Sequence, residues 1–177
     1  MDFVKSAGGV LLPDTKLRVG GRFIGQIIRD GQVIDEFEDV NLVVNEGLDA
    51  LLNIMFHGST QVTTWYLGLF EGNYTPVSTV TAATIASAST ESTAYAATTR
   101  PTYDEAASSG QSVTNSASRA DFVFNATKTI YGAFLISDST KAGTAGTLFS
   151  AARFSSSKSV VSGDELLLTY TFSAASA

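Results

Sequence analysis

The side chains most often used for catalysis are scarce in this chain. It has one histidine, His57, and no cysteine. A metal site with two histidines cannot form within one copy, and no thiolate is available as nucleophile or zinc ligand. Any histidine-dependent triad would have to run through His57. That residue is followed by Gly58 at the end of a helical pattern, so we read it as a helix-end residue.

Carboxylates are the remaining candidates. Asp35, Glu36, Glu38 and Asp39 cluster, and Asp104-Glu105 and Asp164-Glu165 sit near turns. A glycosidase holds two carboxyls roughly 5–10 Å apart across a cleft. Solvated turns and charges that guard strand edges are the simpler reading here. The acidic clusters lack the alternate spacing of a calcium loop, and Gly8-Gly9 and Gly20-Gly21 do not fit a phosphate loop. Tyr74, Tyr95 and Tyr103 fall in irregular segments. They are expected to cap a sheet edge; as exposed rings they would stack on sugars or form an interface. We therefore expect no enzyme, no cofactor and no metal.

The elements around these residues read mostly as strands. Phe23 to Ile28 and Gln32 to Phe37 flank Asp30-Gly31, the strongest short hairpin signal, because both turn residues need positive φ. Val43-Val44 belongs to another short strand. Then Leu48, Leu51, Leu52 and Met55 recur at i, i+3, i+4 and i+7, which predicts one amphipathic helix with Asn45 as its cap. Trp65, Leu67 and Leu69 alternate with Tyr66 and Phe70. Residues 77–99, rich in Ala, Ser and Thr, read as a long loop or a short helix over 81–88. Further strands are expected over 113–117, 120–125, 129–136, 147–154 and 165–172. In the last, Leu166, Leu168, Tyr170 and Phe172 form one face.

The fold class is therefore all-β: an antiparallel β-sandwich, jelly-roll-like, with one α-helix and an extended N-terminal arm and hairpin. Residues 1–40 read as the arm and hairpin and residues 41–177 as the sandwich body. A two-stranded hairpin is marginal alone. Phe3, Val10, Leu11 and Leu12 of the arm and Phe23, Ile27, Val33 and Phe37 of the hairpin are the candidate partner-binding residues.

Composition narrows the class of partner. Of 177 residues 44% are apolar, enough for a core, and only 16% are charged, against roughly 25% in an average domain. Such a surface suits a protein packed into an assembly. The net charge is −6 with no Lys/Arg cluster, which argues against nucleic acid. No apolar run reaches the length of a membrane span, and Val10-Leu11-Leu12 is too short for a signal peptide's core, so synthesis in the cytoplasm is expected.

Asn41 to Leu48, Leu51-Leu52, His57 to Gln61 and Trp65 to Phe70 together resemble a family of small virion structural proteins of tailed bacteriophages. The likeness continues through Thr98 to Pro101, Asn115 to Ser118, Tyr131 to Phe134 and Phe149 to Arg153, and covers about residues 41–172. It implies location in the virion, after assembly in the host cytoplasm. Capsid decoration, or cement, proteins of this kind are small, β-rich and often trimeric, and clamp neighbouring capsid subunits. The resemblance thus implies a homo-oligomer that also binds the major capsid protein or another virion protein. A tail, neck or baseplate component is the same physical class with a different neighbour. A receptor- or carbohydrate-binding module built on Tyr74, Tyr95 and Tyr103 is a different class.

Overall fold

A computed structural model describes residues 17–176 together with the short strands β1 (Phe3–Lys5) and β2 (Leu11–Pro13), which form a two-stranded sheet of their own. Strands β3 (Leu17–Arg29), β4 (Gln32–Val40) and β5 (Leu42–Val43) precede helix α1 (Asn45–Phe56). Strand β6 (Trp65–Phe70) leads to helix α2 (Ala82–Ser89) and then to β7 (Thr102–Tyr103) and β8 (Ser112–Thr114). Strands β9 (Ala120–Val123), β10 (Lys128–Ile136), β11 (Leu148–Val160) and β12 (Glu165–Ser176) complete the chain. One antiparallel sheet has the order β5-β11-β10-β6-β7 and the other β4-β3-β12-β8, with β9 also on β12. The two pack face to face as an all-β sandwich.

The core between the sheets follows the alternation of the strands. Leu67 and Leu69 of β6, Leu166, Leu168 and Tyr170 of β12, and Phe122 of β9 are closed from solvent there. The other face of β6 contributes Phe70 to a second cluster with Phe134, Ile136, Leu148 and Ala151. Helix α2 covers that face with Ala82 and Ile85. Burying a side chain such as Ile85 stabilises by about 1.5–3 kcal/mol. Among the described residues there are thus two helices, not one. The uncertain segment resolves as the short helix, started by Thr81, whose N–H donates to Thr84 Oγ1 (3.2 Å), and ended by Thr90 at φ 56°.

Residues 22–40 are not a projecting connector. Strand β3 pairs with β12 from Ile28↔Glu165 to Leu17↔Ser176, and Phe23 and Ile27 lie in the core between the sheets. The sheet containing β12 is therefore built partly from the segment before residue 40, and one core spans that boundary. The Asp30-Gly31 turn has the expected positive φ values, 51° and 75°.

Two strands run further than their apolar residues suggested. Strand β11 continues through Ser155 to Val160, where Lys128, Thr129 and Ile130 pair with it beyond a register shift. Lys158 is buried there, bonded to Asp35 (3.0 Å) and lying over the Phe37 ring. On β12, β9 pairs with Glu165–Leu168 and β8 with Thr171–Ser173. Asn115 fills the gap between them: it accepts from Tyr170 N–H (2.8 Å) and donates to Leu168 O (3.2 Å). Its amide stands in for a missing strand residue, as buried backbone groups require.

Candidate interaction surface

The polar side chains that could do chemistry are mostly holding the fold together. His57 is exposed at the C-terminus of α1, where its backbone N–H donates to Asn53 O (3.0 Å). Glu38 pairs with Arg22 and Glu36 with Gln26 on the exposed hairpin. Asp39 accepts from Ser155 N–H (2.7 Å). Among the described residues no group of three His, Asp or Glu side chains comes together as metal ligands.

Asp164 was read as a turn charge, but it is buried. It accepts two hydrogen bonds from Arg29 (2.8 and 2.7 Å) and one from Val161 N–H (2.8 Å). The Arg29 hydrogen bonds hold its carboxyl below the usual carboxylate range, against the opposing effect of burial. A depressed folded pKa gives stability that is present above the unfolded value, near pH 4, and lost as pH falls through the folded one. Asp164→Asn is therefore expected to flatten the acid limb of the stability profile below about pH 4. Urea unfolding across pH measures this, and an acid limb identical to the parent's would remove Asp164 from it.

The candidate partner-binding residues separate into three groups. Phe3 lies in β1 and Leu11 and Leu12 in β2, with side chains outside the described residues, as Val10 is altogether. Phe23 and Ile27 are withdrawn from any partner, because β3 is an inner strand whose inward face lies beside that of β12 and is covered in the core between the sheets. Phe37 is half-buried against the Phe154 ring (4.6 Å), and Val33 is exposed beside Ile34 at the hairpin tip. Tyr95 and Tyr103 are also core residues, 1% and 5% exposed, and Tyr74 packs on the second cluster. They offer no shared sugar-stacking platform.

An apolar opening lies beside α1. Here the expected amphipathic helix forms, but its stripe is not fully covered: Leu52, Met55 and Phe56 are 54%, 65% and 81% exposed. Only Gly47 is buried, because the helix crosses β11 so closely that a Cβ there would stand 2.3 Å from Phe149 O. Beside this crossing a groove of about 410 Å³ runs between α1 and the end of the sandwich. Leu51, Met55, Trp65, Val113, Phe149 and Phe172 give it apolar walls. Trp65 and Phe149 meet edge to face, as do Phe149 and Phe172. Tyr103 and Tyr170 also line it. Burial raises both phenols above the ordinary tyrosine range, and the Tyr103 hydroxyl has no hydrogen-bond partner among the described residues.

Of the groove's residues, Trp65, Val113, Leu135, Phe149, Tyr170 and Phe172 read from the sequence only as positions on separate strands. The available signal was on the helix, where Phe56 falls outside the stripe of Leu48, Leu51, Leu52 and Met55 and widens the apolar face beyond what one sheet can cover. No model of a known protein family matches the chain, and no curated protein matches it. Among the described residues no helix is long and apolar enough to cross a membrane.

Proposed function

We propose that the chain is a non-enzymatic structural protein of a tailed-phage virion, of the capsid-decoration type, which binds and stabilises neighbouring capsid subunits. The observation that carries this reading is the open apolar face of α1 and the groove beside it, on a surface poor in charge. Contiguous apolar surface with a polar surround marks a protein contact. Three acids at least partly buried support the same reading. Glu46, Glu91 and Asp164 are each committed to hydrogen bonds that tie separate segments together. The resemblance over residues 41–172 supplies the virion. The burial of Tyr95 and Tyr103 weighs against a carbohydrate-binding module.

Copy number in purified virions tests the proposal. A decoration protein is expected at hundreds of copies relative to the major capsid protein by gel densitometry. Tens of copies at most would overturn the decoration assignment in favour of a tail, neck or baseplate component. Absence from virions would overturn both.

A further inference from the structure

We infer that the groove between α1 and the end of the sandwich receives the N-terminal hairpin of a second copy of this chain. The inference deepens the assembly reading and rests on it for the groove being an interface. Its test uses the purified protein alone, so it can fail while incorporation into virions stands.

The occupant is argued first from what the N-terminal segment lacks. Strands β1 and β2 are three residues each and pair with each other, Phe3↔Pro13 to Lys5↔Leu11, and with neither sheet of the sandwich. A ribbon of that size does not hold together in water without an apolar surface to cover. Its sequence carries Phe3, Val4, Val10, Leu11 and Leu12 within residues 1–13. The groove has the complementary character. Its walls are apolar, its volume falls in the range of real ligand sites, and among the described residues Glu105 is the one charged residue lining it, which suits Lys5 of β1.

The chain's exit favours a neighbour's groove over its own. Strand β4 stops pairing with β3 at Arg22, and β8 stops pairing with β12 at Ser173. Gln111, just before β8, still accepts from Ala174 N–H (3.0 Å), and beyond it the pairs Arg18↔Ala175 and Leu17↔Ser176 continue as a bare two-stranded ribbon, about 7 Å long. That ribbon delivers the N-terminal segment outward. Phe172, on the groove, pairs with Gly21, four residues or about 13 Å along the strand from Leu17. The link from Pro13 to Leu17 has three residues between its ends and reaches at most about 13 Å when stretched. To meet its own groove at Phe172, Pro13 would have to double back along the whole reach of that link. Continuing outward it meets another copy with no such constraint.

The absence of cysteine gives a clean test. Leu12→Cys is placed in one preparation and Met55→Cys, on the exposed side of the groove, in another carrying a distinguishable mass tag. After mixing and mild oxidation, a mixed covalent dimer is expected. A Val33→Cys preparation, at the hairpin tip on β4, replaces Met55→Cys as the control and is expected to give at least tenfold less. A mixed dimer no more abundant than that control overturns the proposal. So does a double Leu12→Cys, Met55→Cys chain that closes only within single copies. A second measurement does not depend on cysteine: Met55→Glu is expected to weaken self-association by roughly tenfold or more in sedimentation, with an unchanged thermal midpoint. Undiminished association in that variant would also overturn it.

Discussion

Replacing Arg100 with methionine is expected to cost about 3–5 kcal/mol of folding stability. Arg100 is fully buried, and so is the Glu91 side chain that faces it. Two parallel hydrogen bonds join them, Nε to Oε1 at 2.8 Å and Nη2 to Oε2 at 2.7 Å. A third nitrogen, Nη1, donates to Asp138 O (2.8 Å), and Ala142 N–H donates to Glu91 (3.0 Å). The guanidinium also lies near the Phe134 ring, 5.4 Å from its centre. The pair thus binds three stretches of chain: the segment after α2, the approach to β7 and the β10–β11 connection. Methionine keeps much of the volume but leaves the Glu91 carboxylate in the interior without its cation. For a chain of this size the loss lowers the melting temperature by roughly 10 °C. Urea and thermal unfolding measure it. The double variant Arg100→Met, Glu91→Leu removes both charges and is expected to recover most of the loss. A drop of under 1 kcal/mol in the single variant would show that the pair is not a staple.

Glu46→Ala is expected to cost about 3 kcal/mol, through two hydrogen bonds to one charged group. Glu46 Oε2 accepts from Ala82 N–H and from Leu148 N–H, both at 2.8 Å. Ala82 is the first residue of α2 and Leu148 the first of β11. A helix start has unpaired N–H groups and a positive dipole end, both of which a carboxylate satisfies. Without it, two part-buried donors lose their acceptor and α1, α2 and β11 lose their common tie. Glu46→Gln keeps an acceptor without the charge and is expected to cost about half as much. Unfolding in urea separates the three proteins. Equal stability of the alanine variant and the parent would rule out the tie.

The roles of these two carboxylates leave no trace in the residues around them. Glu46 lies one residue past the expected cap Asn45, and its partners, 36 and 102 residues away, have no local signature. Glu91 lies in a segment of Ala, Ser and Thr with no decisive period, and nothing near Arg100 in the chain points to its partner. Asp164 was read as a turn charge because a turn does lie there; its burial depends on Arg29, 135 residues distant. Conversely, Trp65 to Phe70 and Leu166 to Phe172 were legible face by face, because a strand's period of two is a property of the backbone and needs no partner to appear. The α1 helix was legible for the same reason, while its exposure was not. Covering an apolar stripe requires another element at the right place, and here the close crossing at Gly47 turns Leu52, Met55 and Phe56 away from β11.

By itself, the sequence determined the class of this protein: an all-β body, a hairpin at Asp30-Gly31, a helix from near Asn45, and a repertoire too thin in histidine and cysteine for the commonest mechanisms. These follow from composition and short-range periodicity, which depend on residues within a few positions of one another. Tertiary structure decided everything that depends on which strand lies beside which. It placed the hairpin inside the sandwich, carried β11 through the polar run from Ser155 to Ser159, and turned turn-side acids into internal ties. It also brought residues of α1, β6, β8, β11 and β12 to one groove. The reason is the same in each case: pairing energies between segments far apart in the chain leave no periodic trace in either segment alone.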